Sequence, residues 1–72
     1  MYRIILCEKA TGIVLELDGK TRFSNNDTNS PLPSMTFNTI EEAEDMAAAL
    51  IKENSTLEIG IYKNDETFVK RY

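Results

Sequence analysis

Histidine and tryptophan are absent from this chain, and cysteine occurs once, as Cys7. Each shortage narrows the possible chemistry. Without histidine, no side chain has an ordinary pKa near neutrality, which removes the commonest general base. A lone cysteine closes no internal disulfide, and without histidine it builds no structural zinc site. The residues before Cys7 are Ile4, Ile5 and Leu6. Nothing there activates a thiol, so packing is its expected role. Neither a glycine-rich phosphate loop nor a dinucleotide fingerprint occurs. The expectation is a non-enzymatic protein that holds no cofactor and no metal.

Long apolar runs are missing as well. The opening run Ile4-Ile5-Leu6-Cys7 is closed by Glu8. It is too short for a signal peptide and far from the roughly 20 residues of a membrane span. A free cysteine with no export signal points to the reducing cytoplasm. Asn26-Asp27-Thr28 and Asn54-Ser55-Thr56 match the glycosylation pattern, which has no consequence without secretion.

What remains is one domain over residues 1–72. A chain of this size buries only about 60% of its surface on folding. Lacking a disulfide or metal staple, it must rely on good packing or on self-association. The net charge is −4, and all of that excess falls in residues 39–55, which sum to −4. Such an acidic balance disfavours phosphate backbones.

Tyr2 to Glu8 reads as a strand, β-branched and almost continuously apolar. Lys9-Ala10-Thr11-Gly12 is a turn, and Ile13 to Leu17 a second strand forming a hairpin with the first. Asp18-Gly19 is a strong signal for a type I′ turn, leading into a short third strand Lys20-Thr21-Arg22-Phe23. Residues 24–35 are rich in Asn, Ser, Asp and Pro and read as a long mobile loop. Thr39-Ile40-Glu41-Glu42 is a capping box that opens a helix. Ile40, Ala43, Met46, Ala47, Leu50 and Ile51 form its apolar stripe. Asn54 is expected to end it in the left-handed conformation. Leu57 to Tyr62 alternates with period two, Lys63 to Glu66 turns, and Thr67 to Tyr72 is the closing strand. The predicted fold is α+β: an antiparallel sheet of four to five strands with one amphipathic helix on one face, in the order β-β-(β)-α-β-β.

Parity assigns Ile4, Leu6, Ile13, Leu15, Leu17, Leu57, Ile59, Ile61 and Phe68 to the face under the helix. The opposite face then receives Ile5, Cys7, Val14, Tyr62 and Val69 among polar groups, more apolar than an open face requires. Three covers are expected to compete: loop 24–35 through Leu32 and Met35, a second copy, or another protein. Ile5, Val14, Tyr62 and Val69 are the expected interaction face of a protein-interaction or homodimerisation module. The alternative is single-stranded nucleic-acid binding through Arg3, Lys9, Lys20, Arg22, Lys63, Lys70 and Arg71, with Tyr62 and Tyr72 as stacking surfaces.

Two cation readings are weaker. Glu41, Glu42, Glu44 and Asp45 already suit the helix dipole as a solvated face. Asn25, Asp27 and Asn29 follow calcium-loop spacing, yet Ser30 and Thr36 stand where a glycine and a bidentate Glu belong.

Overall fold

The computed structural model describes residues 1–23, 32–65 and 67–72. Among these residues are four strands and one helix: β1 Tyr2–Glu8, β2 Met35–Phe37, α1 Ile40–Glu53, β3 Leu57–Lys63 and β4 Phe68–Arg71. The sheet is antiparallel throughout, in the order β2-β1-β3-β4. This is the expected α+β class. Because β2 and β3 both oppose β1, they run parallel to each other with β1 between them. The helix therefore bridges a split β-α-β unit and crosses over the sheet on its way. Among the described residues, no helix is long and apolar enough to cross a membrane.

The helix forms for the local reasons its residues suggest. Thr39 is the extended N-cap, and its Oγ1 accepts from the Glu42 N–H at 3.2 Å. The same hydroxyl donates to Glu42 Oε1 at 3.1 Å, closing the box through side chains. Glu41 and Glu42 occupy the first turn and Lys52 the last, each matching the dipole. The C-terminus differs from expectation. Asn54 is extended, at φ −143 and ψ 97, not left-handed. Its N–H bonds Leu50 O, and its Oδ1 accepts from the Thr56 N–H and hydroxyl. A side-chain turn thus replaces the left-handed exit.

Beneath the helix lies the core. Ile4, Leu6, Ile59 and Ile61 are fully buried, joined by Leu15, Leu57, Ala43 and Ala47. Ile40, Met46, Leu50 and Ile51 of the predicted stripe pack around them, as do Tyr2, Met35, Phe37 and Tyr72. Small Ala43 and Ala47 let the helix approach the sheet closely, where the four large aliphatics fill the layer.

The expected hairpin forms only at its turn end, where the Glu8 N–H bonds Ile13 O and the Leu15 N–H bonds Leu6 O; the rest of that edge of β1 takes another partner. Met35–Phe37 pairs with Tyr2–Ile4 and holds the outer edge of that half of β1. Segment 13–17 contributes only the single bridges Cys7↔Val14 and Leu15↔Arg22, and 20–23 only the latter. Met35–Phe37 and segment 13–17 thus lie along one edge of β1, one at each end. Of the expected core trio, Leu15 is buried, whereas Ile13 and Leu17 are 37% and 42% exposed. Asp18-Gly19 does turn the chain, with Gly19 at φ 71. However, Glu16 N–H bonds Thr21 O, so the loop holds four residues, not two. The expected long loop gives up Met35 to β2; positions 24–31, with Asn25, Asp27 and Asn29, lie outside the described residues.

Strand β4 carries a second correction. Gly60 pairs with Arg71 and Ile61 with Lys70, but Tyr62 pairs with Phe68, so the register skips Val69. This β-bulge shifts the parity by one. Phe68, expected under the helix, stands across from Tyr62 on the other face. Lys70 instead lies on the helix side, where its Nζ meets Glu44 Oε2 at 2.9 Å.

Candidate interaction face

The side of the sheet away from the helix is built from odd positions of β1, even positions of β3, and the bulged β4. Its centre is Gly60, flanked by Ile5 on one strand and Arg71 on the other. The Tyr62 ring folds along its own strand across Gly60, where an added Cβ would meet Cε1 at 2.9 Å. Glycine at this position lets the ring lie flat on the sheet.

Tyr62 in turn supports Phe68. The ring centroids are 5.6 Å apart at 67°, an edge-to-face contact. Arg71 places its guanidinium 5.3 Å from the Phe68 centroid, and its Nε meets Glu58 Oε1 at 3.0 Å. The Glu58–Arg71 couple lies at the surface, so it orients Arg71 more than it stabilises the fold. Phe68 nevertheless remains 49% exposed.

On the other flank of Tyr62 the surface dips. Arg3, Ile5, Leu32 and Tyr62 line a depression of about 190 Å³. Ile5 is only 8% exposed although no helix lies above it. Leu32, itself 46% exposed, lines the depression with it.

Of the four residues expected on this face, Ile5 and Tyr62 come together at the depression. Val14 is half-buried and sits beside Cys7 at the far end of β1. Val69 is 37% exposed and occupies the bulge. Phe68 and Arg71 are the additions. No pattern in the sequence marks the bulge, so Phe68 followed strand parity to the wrong side. Leu32, an apolar residue in a polar run, was legible as a possible cover.

Other chemistry is sparse. Cys7 is half-buried, and burial raises its thiol pKa; Glu58 across the β1–β3 pair adds to this, while Arg71 opposes it. A raised pKa makes the thiolate scarce at neutral pH. Among the described residues, no three acidic or cysteine side chains gather as a cation site. Glu41, Glu42 and Asp45 are exposed, and Glu44 is held below the usual carboxylate range by hydrogen bonds from Lys70 and Tyr72. Three of the expected basic strand residues are paired with acids. Arg22 is tied to Glu8, Lys70 to Glu44 and Arg71 to Glu58. No protein-family model, curated protein or solved structure matches the chain.

Proposed function

We propose that the protein is a non-catalytic interaction module whose working surface is the helix-free sheet face. The observation that carries this reading is Phe68, exposed yet in edge contact with Tyr62 and with Arg71 over its ring. Aromatic and arginine side chains in such settings are the groups that dominate protein interfaces. Their order is set before a partner arrives, which lowers the entropy cost of binding. The absence of histidine and the raised thiol pKa of Cys7 support a role without catalysis. The free cysteine suits the cytoplasm as its compartment.

The test is a photo-reactive amino acid placed at Phe68 in the cell, with Ala48 on the exposed helix surface as control. A cross-linked protein product from position 68 and none from position 48 supports the reading. Equal products from both positions, or none from either, removes it.

Single-stranded nucleic acid is the second reading, favoured by the exposed ring of Phe68 beneath Arg71. Glu58 beside Arg71 and the net charge of −4 act against it. Anisotropy of a labelled oligonucleotide decides: true phosphate contacts weaken steeply between 50 and 200 mM salt, and no binding at the lower concentration ends the idea.

A further inference from the structure

Resting on that reading, we propose that the partner is a second copy of this chain, with each copy inserting Phe68 into the depression lined by Arg3, Ile5, Leu32 and Tyr62 of the other. Three features of the face lead there.

The first is shape. Phe68 projects on one flank of Tyr62 and the depression lies on the other. A two-fold axis between the facing sheets, passing near Tyr62, carries each projecting ring over the other copy's depression. Such self-complementarity is what an isologous contact requires, since residue i meets j and j meets i. The depression of about 190 Å³ is of suitable size, because an apolar cavity of about 150 Å³ accepts a benzene ring. Ile5 and Leu32 supply apolar walls.

The second is charge. The helix segment 39–55 holds the whole net charge of −4, so copies that meet through their helices repel. On the sheet face, Arg71 is paired with Glu58. Sheets packed about 10 Å apart leave both helices outside, separated by more than the ~8 Å screening length.

The third is area. β1 and β3 have seven residues each in a sheet of four strands. β2 adds three residues and β4 four, so at ~3.3 Å per residue and ~4.8 Å between strands the face covers about 330 Å². Two copies then cover about 670 Å² in total, below the ≈ 1,000 Å² lower bound for a stable specific contact. The dimer is therefore weak and concentration-dependent.

Two surface variants test the arrangement. Phe68→Ser removes the projection, and Leu32→Trp fills the depression. By sedimentation over a micromolar-to-millimolar series, the wild type should move from 8.2 kDa toward twice that mass. Each variant alone should remain monomeric. A mixture of the two should associate more than either variant alone and less than the wild type, because the Leu32→Trp copy still offers Phe68 to the intact depression of the other and one of the two contacts returns. In the wild type, isotope-filtered NOEs should connect the Phe68 ring of one copy with Ile5 methyls of its partner, a readout independent of the variants' folding. Dimers that persist in Phe68→Ser, or wild-type dimers without that NOE, overturn the proposal. A monomeric wild type that still cross-links another protein from position 68 overturns the second-copy assignment and leaves the interaction face standing.

Discussion

The ring of Tyr62 occupies the space a side chain at Gly60 would need, with Cε1 2.9 Å from the position of an added Cβ. The two positions are therefore energetically coupled. Gly60→Ala in the wild-type background must displace the ring, losing its packing on the strand. In a Tyr62→Ala background the same change meets no ring and gains about 0.5–1 kcal/mol, because alanine loses less backbone entropy than glycine. Urea midpoints for the four proteins should give a coupling of about 1 kcal/mol of that sign. Additive effects would show that the ring does not lie on Gly60 in solution.

Asp18 governs the acid side of the stability profile. Its carboxylate accepts from the Lys20 N–H, the Thr21 N–H and the Thr21 hydroxyl, which hold its pKa down to about 2. The unfolded value is about 3.9. A folded pKa below the unfolded one stabilises the fold above pH ~4, and this contribution is lost as pH falls toward 2. A carbon-detected carboxylate titration should find Asp18 titrating near 2. Asp18→Asn should flatten the stability curve in that window, leaving the smaller shares of Glu8, Glu44 and Asp65, which are also held low. An ordinary aspartate titration would reject this account.

At the helix start, Thr39 Oγ1 both accepts from the Glu42 N–H and donates to its carboxylate. Thr39→Ala should cost about 1 kcal/mol, within the ~0.5–2 range for lost caps. In a domain of this size that lowers the melting temperature by roughly 4–8 °C. Thr39→Ser keeps the oxygen and should melt close to the wild type. Thermal unfolding followed by circular dichroism separates the two.

The helix was legible because every signal for it lies within a few residues. Thr39 and Glu42 cap it, the acids fit its dipole, and all six residues of the stripe pack on the core. β1 and β3 were equally clear from their runs of aliphatics. The second strand was not. Ile13 to Leu15 do pair with Leu6 to Glu8 as a hairpin, but the strand beside Tyr2–Ile4 is Met35–Phe37, which begins at the end of the expected loop. That partner is far away in the chain, and composition does not point to it. The candidate face was legible in outline, through Ile5 and Tyr62, but Phe68 was assigned to the wrong side.

By itself, then, the sequence determined the α+β class and the helix with both its apolar stripe and its acidic surface. The tertiary structure decided which segment completes the sheet and what the second face displays. The reason is that caps and helical periodicity act over neighbouring residues, whereas register is settled by pairing between distant ones. A single skipped residue, Val69, moves Phe68 across the sheet and places an exposed aromatic ring where strand parity alone put a valine.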